Sequence, residues 1–246
     1  MKLPPLWSGV LIARYKRFLA DIRLDDGRVI TAHCPNTGSM RAVNVPGCRV
    51  WVSWHDNPKR RLPWTWELIE LPDGAMASVH TGRANALVQE ALESGGILPF
   101  DRAWGLQREV RVDDSRLDFR LTTEGDESVW LEVKQVTLKE EGRGYFPDSV
   151  SARGRRHLET LMALRADGDR AVLVFLVAHS GIDDVRPAAH LDPAYARTFE
   201  AACEAGVEVM MLGCEITPEE ITACRSRQLQ KDQVALSGPS RSRSRR

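Results

Sequence analysis

Eight consecutive apolar residues, Ala171-Val172-Leu173-Val174-Phe175-Leu176-Val177-Ala178, constrain this chain more than any other stretch. A membrane-spanning helix needs about 20 such residues, so no span is expected here. The β-branched content reads as a strand, and a strand without a polar side must be covered on both faces. Covering elements lie on either side of it. A helix is expected from Asp148, taken as its N-cap, to about Ala166, with Val150, Leu158, Leu161, Met162 and Leu164 apolar. A second runs over Pro193–Ala205, with Gly206 as its stop, and leads into another buried strand, Val207–Leu212. Ala84–Glu93 has helix-forming composition with a Leu87/Ala91 stripe; Asn85 and Glu90 either look toward a site or are ordinary surface. The pattern is a mixed α/β sheet with helices on its faces.

Between the Ala84–Glu93 segment and the helix that starts at Asp148 lie two strands with a different signature. Arg116-Leu117-Asp118-Phe119-Arg120-Leu121 alternates, with Leu117, Phe119 and Leu121 on one side and Arg116, Asp118 and Arg120 on the other. Val129–Leu138 follows, with Leu131 and Val133 opposed to Trp130, Glu132 and Lys134. Charges inside an apolar strand are costly unless something uses them. An acid at 118 and a Glu-x-Lys at 132–134 can meet on one face. Two carboxylates can hold Mg²⁺ or Mn²⁺, and an adjacent ammonium can orient water or offset developing phosphate charge. Arg153, Arg155 and Arg156 open the helix that follows, as phosphate binding would need.

The first eighty residues read as short strands: Val10–Ile12, Phe18–Leu24, Arg28–His33 after an Asp26-Gly27 hairpin turn, Arg49–Trp54, Trp64–Leu71 and Ala75–His80. Such spacing indicates a small barrel or sandwich. Lys59-Arg60-Arg61 lies on a loop between Trp54 and Trp64, and Arg14-Tyr15-Lys16-Arg17 forms a second basic-aromatic cluster. Basic groups neutralise phosphates and exposed aromatics stack on bases; the tryptophans serve equally well as core. His33-Cys34 is a lone pair rather than a metal motif. The formal net charge of zero hides an uneven spread. Residues 1–82 carry 11 Lys/Arg against 7 Asp/Glu, residues 83–224 carry 16 against 26, and residues 225–246 carry 7 against 1. The five cysteines lack a CxxC, which argues against zinc and for reduced thiols. Met1-Lys2-Leu3-Pro4-Pro5 has no apolar leader core, so the expected location is the cytoplasm.

The stretches Arg14–Asp21, His33-Cys34-Pro35-Asn36-Thr37-Gly38, Arg116-Leu117-Asp118-Phe119, Glu132-Val133-Lys134 and Gly144-Tyr145-Phe146-Pro147-Asp148, with Arg153-Gly154 and His157-Leu158, carry a resemblance. In that order they resemble the sugar fermentation stimulation protein A (SfsA) family of bacteria and archaea, over the chain to about residue 215. The resemblance implies an N-terminal OB-like β-barrel followed by a PD-(D/E)xK nuclease-like mixed sheet, and a DNA-associated role in regulating sugar utilisation. It places Asp118 as metal-binding acid, Glu132 as second acid and Lys134 as catalytic lysine. Leu117 stands where that motif's proline would be, and Pro147-Asp148 lies in the wrong order to replace it.

The expected organisation is therefore a nucleic-acid-binding barrel over 1–82, a nuclease-like domain over 83–228 and a basic disordered tail over 229–246. The expected activity is divalent-metal-dependent phosphodiester cleavage of DNA, with RNA left open. Asp118 and Glu132 would hold the metal, and Arg14, Lys16, Arg17, Lys59, Arg60, Arg61, Arg153, Arg155 and Arg156 would contact the backbone. A non-enzymatic DNA-binding regulator with the same fold is the alternative, and sugar binding by the barrel tryptophans a third. No helix-turn-helix supports operator reading.

Overall fold

A computed structural model describes residues 1–95, 100, 103–123, 125 and 127–229. The basic run Arg241–Arg246 lies outside them. Six strands build the first unit: β1 (Leu6–Tyr15), β2 (Leu19–Leu24), β3 (Val29–His33), β4 (Arg49–Trp54), β5 (Trp64–Glu70) and β6 (Met76–Ser78). They pair in the order β3-β2-β1-β4-β5-β6, and a parallel contact at His33↔Thr65 joins β3 to β5 and closes the OB-type barrel. Gly9 is where β1 presses onto β2: a Cβ there would lie 2.5 Å from the Arg23 carbonyl oxygen. Leu11, Ile22, Val50, Val52, Trp66 and Ile69 fill the barrel.

A 3-10 turn over Thr81–Arg83 leads into α1 (Ala84–Ser94). Three strands follow, β7 (Ala103–Val112), β8 (Ser115–Thr123) and β9 (Ser128–Val136), then the short β10 (Leu138–Glu140) and β11 (Arg143–Phe146). The chain continues through α2 (Ala152–Ala166), β12 (Arg170–Val177), β13 (Val185–Pro187), α3 (Pro193–Glu204), β14 (Glu208–Ile216) and β15 (Ile221–Gln228). The main sheet has the order β15-β14-β12-β9-β8-β7, with β9, β12 and β14 parallel at its centre and antiparallel strands on both flanks. Residues 171–178 sit at that centre at 0–1% exposure, since a strand with no polar face has no other stable place. One sheet face packs on α1, with Leu68 of the barrel in the same cluster; the other packs on α2 and α3. No helix among the described residues is long and apolar enough to cross a membrane.

The structure departs from the sequence pattern at the start of α2, in two further strands and in the alternation of β8. Helix α2 starts at Ala152, capped by Ser151, whose hydroxyl accepts the Gly154 N–H at 3.0 Å. Asp148 reaches back instead, accepting the Met40 N–H at 2.9 Å, while its carbonyl takes the Ser39 hydroxyl at 2.8 Å. The loop at 34–40 and the Pro147-Asp148 segment thus lock the barrel to the second unit. Strands β11 and β15 were not expected; residues 143–146 pair with β10 and β13 in a small separate sheet. Finally, β8 does not alternate throughout. Phe119 and Leu121 pack in the α1 cluster, whereas Leu117 packs in the cluster beneath α2 and α3.

Candidate active site

That roll of β8 makes the site. The β8–β9 ladder runs inward from Thr122↔Ser128 and stops at Phe119↔Leu131. Opposite on β7, Glu109 has φ +54° and is unpaired between Arg108↔Phe119 and Val110↔Leu117. Where the ladder stops, Asp118 supplies the missing acceptor: its Oδ2 takes the Val133 N–H at 2.8 Å. Its Oδ1 takes the Asn85 side-chain amide from α1 at 2.7 Å. Asn85 therefore faces the site, while Glu90 is exposed and pairs with the Met1 ammonium at 3.0 Å.

On β9, Glu132 and Lys134 share the face turned toward α2. Glu132 is 2% exposed. Its Oε1 receives Lys134 Nζ at 2.5 Å and is bonded to Nδ1 of His157. The same His157 nitrogen lies 3.2 Å from Lys134 Nζ. His157 sits on the stripe of α2 that carries Leu161 and Leu164 inward, so it is delivered to the site by the residues that dock the helix. The other carboxylate oxygen, Glu132 Oε2, is buried with no hydrogen-bond partner among the described residues.

The two acids are driven apart. Burial first, then the Glu132 charge, raises the Asp118 carboxyl to about 6 despite the Val133 and Asn85 hydrogen bonds. Burial pushes Glu132 upward as well, but the His157 hydrogen bond and the Lys134 charge outweigh it and the net direction is down. Glu132 thus keeps one oxygen without a donor, next to the raised carboxyl of Asp118. Both groups offer hard oxygen donors, the kind that divalent cations such as Ca²⁺ and Mg²⁺ take.

The basic residues separate into distinct roles. Lys16, Arg60 and Arg61 line a cavity of about 620 Å³ on the barrel with Phe18, Leu19, Thr31, His33 and Leu62; Phe18 is 47% exposed. Arg17 and Lys59 are exposed nearby in sequence. Arg14 is turned inward: its guanidinium donates to the carbonyls of Arg17, Asn36 and Gly38 at 2.6–2.9 Å, which holds the 34–40 loop. Arg153 and Arg156 line a second cavity with His157, whereas Arg155 pairs with Asp192 at 3.5 Å. Trp66 is core, and Trp7 and Trp54 stand edge-on to Trp64 with centroids at 5.3 and 4.9 Å, partly exposed.

Residues 12–79 match the SfsA N-terminal OB domain, and residues 82–220 match the sugar fermentation stimulation protein RE domain. The chain belongs to the sugar fermentation stimulation protein family. It is 61% identical to the sugar fermentation stimulation protein homolog of Chromohalobacter salexigens over 222 residues, covering 88% of this chain and 87% of that one. It is 50% identical to the Shewanella baltica homolog over 220 residues, covering 89% and 94%. Among solved structures, that of Pyrococcus furiosus SfsA in complex with Ca²⁺ superposes with a TM-score of 0.83 at 27% identity, over 92% of this chain and 96% of that one. The matched domains follow the order of the two units, an OB domain and then an RE domain built on the mixed sheet with helices on its faces.

His157 is the site residue that sequence reasoning left out. Its signal was a histidine in register with Leu161 and Leu164, on the inward stripe of a helix whose exposed positions carry arginines.

Proposed function

We propose that this protein binds DNA and cuts it at a divalent-cation-assisted phosphodiesterase site made by Asp118, Glu132 and Lys134. The observation that carries the reading is the open, buried Glu132 Oε2 beside the Asp118 carboxyl. Asp118 and Glu132 would hold Mg²⁺ or Mn²⁺; the Pyrococcus relative's Ca²⁺ is another oxygen-seeking divalent ion. Such an ion, when bound, supplies Lewis-acid charge to the phosphate and a more acidic water.

The chain's own residues do the rest. Lys134 Nζ, tethered to Glu132, places a positive charge where phosphate oxygens gain negative charge. His157 holds Glu132 and Lys134 together, and Asn85 with the Val133 N–H fixes the Asp118 carboxylate. Lys16, Arg17, Lys59, Arg60 and Arg61 follow the backbone over the barrel, making 1–82 the nucleic-acid-binding unit and 83–228 the cutting unit. All five cysteines are free thiols, which suits the cytoplasm.

Purified protein should cleave single- or double-stranded DNA with Mg²⁺ or Mn²⁺, and Glu132→Ala and Lys134→Ala should each slow it by at least about 10³-fold. No cleavage of DNA or RNA with either metal overturns the reading. A second reading, a DNA-binding regulator that does not cut, draws on the donor set: among the described residues no group of three or more His, Cys, Asp and Glu side chains is placed to hold an ion. It requires steeply salt-dependent binding that survives Glu132→Ala and weakens on charge reversal of Lys59, Arg60 and Arg61.

A further inference from the structure

The cavity beside His157 has a charge that the phosphodiesterase reading does not use. It measures about 540 Å³ and is lined by Arg111, Asp114, Ser115 and Arg116 of the β7–β8 hairpin and by Arg153, Arg156 and His157 of α2. A hydrogen bond between the Ser115 and Thr160 hydroxyls, at 2.8 Å, ties the hairpin to the helix and holds the two walls together. Four arginines line this space. Among the wall residues and their ion-pair partners, two carboxylates oppose them: Asp114, and Glu109, paired with Arg116 at 2.7 Å. Arg111 Nε is directed at the Asp113 carbonyl, and Arg153 Nε reaches His157 Nε2 at 3.4 Å. The walls carry an excess of two positive charges.

We propose that this cavity receives the terminal phosphate monoester of a nucleic-acid strand. A bridging diester carries one negative charge, and its chain leaves in both directions. A monoester at neutral pH carries nearly two and presents three free oxygens, the number and geometry that several arginine forks satisfy. The excess charge of the walls matches the monoester. The location gives the occupant a purpose: His157 lines the cavity while its Nδ1 touches Glu132 and Lys134, so one side chain separates the two sites. A strand end seated here places a neighbouring phosphodiester at the carboxylates, and cutting is measured from a phosphorylated end. The inference rests on the phosphodiesterase reading for its position next to the chemistry, but not for binding itself.

The test uses the full chain in EDTA, which prevents cutting, and short internally labelled oligonucleotides bearing a 5′-phosphate, a 3′-phosphate or hydroxyls at both ends. Fluorescence anisotropy should show one phosphorylated form binding at least about tenfold tighter than the hydroxyl form. Arg111→Ala and Arg156→Glu, both at exposed positions, should bring that ratio close to one. Equal binding of all three forms, or a preference that persists in both variants, overturns the proposal. Repeating the comparison with Mg²⁺ or Mn²⁺ separates the two readings. Cleavage at equal rates whatever the end group overturns end reception and leaves the phosphodiesterase standing. An arginine-dependent end preference without any cleavage supports the cavity and removes the phosphodiesterase.

Discussion

Two buried glutamates, Glu67 in the barrel and Glu132 in the main sheet of the second unit, show how similar burial serves different ends. They are 1% and 2% exposed. Glu67 is complete: Oε1 accepts the Ser53 hydroxyl at 2.7 Å, and Oε2 accepts Arg83 Nε at 2.8 Å. Burial raises its carboxyl, Arg83 and Ser53 more than offset this, and the net shift is downward. Glu132 has the same net direction but an uneven distribution, with two donors on Oε1 and none on Oε2. A second acid stands beside it, whereas Glu67 has an arginine. Glu67 is a closed joint between barrel and turn, and Glu132 is an ion pair with an opening.

If the contrast is sound, Arg83→Ala should be the most damaging change to stability, by about 3 kcal/mol in urea denaturation, because it strands a buried charge. Added Mg²⁺ should not restore that loss; a full rescue would mean that Glu67 is no more closed than Glu132. Next is Asp118→Asn. The Asp118 carboxyl is raised in the fold to about 6 from an ordinary 3.8. Its contribution is thus favourable below 3.8, when it is protonated in both states, and is lost as pH rises through 6. The asparagine variant should be more stable than the parent by about 2 kcal/mol at pH 8 without metal, and no different at pH 3.5. It should also lose any melting-temperature rise that Mg²⁺ or Mn²⁺ gives the parent. A variant less stable than the parent at pH 8 would show that Asp118 is not a strained acid. The smallest effect is Ser53→Ala, about 1.5 kcal/mol, since Arg83 still holds Glu67. A cost as large as that of Arg83→Ala would move the weight of the joint from charge to hydrogen bonding.

Much of the architecture was legible because period and composition report local demands. The 171–178 run could lie only at the centre of a covered sheet, and the Asp26-Gly27 turn and the strands around it are where the pattern put them. Helix α2 was misplaced at its start because Asp148 and Ser151 are both good caps by type. The choice between them came from residues over a hundred positions away, Ser39 and Met40, which claim Asp148. The alternation drawn through Leu117 failed for a similar reason. A strand keeps its period only while its ladder continues, and β8 leaves β9 at Asp118.

Among the arginines, local sequence was no guide. Arg14 and Lys16 are two residues apart, yet one is consumed by loop carbonyls and the other lines a cavity. Arg155 turns to Asp192 while Arg153 and Arg156 line the space next to His157.

By itself the sequence determined which strands are buried, where charges interrupt them and which acids and lysine stand in an order that phosphate chemistry can use. These are properties of neighbours along the chain, set by side-chain period and the cost of burying charge. Only the tertiary structure decided that His157 would close on Glu132 from a helix 25 residues on, that Asn85 would hold Asp118 from another, and that one glutamate oxygen would be left open. Those outcomes depend on where separate elements come to rest against the sheet, and the packing of whole faces settles that.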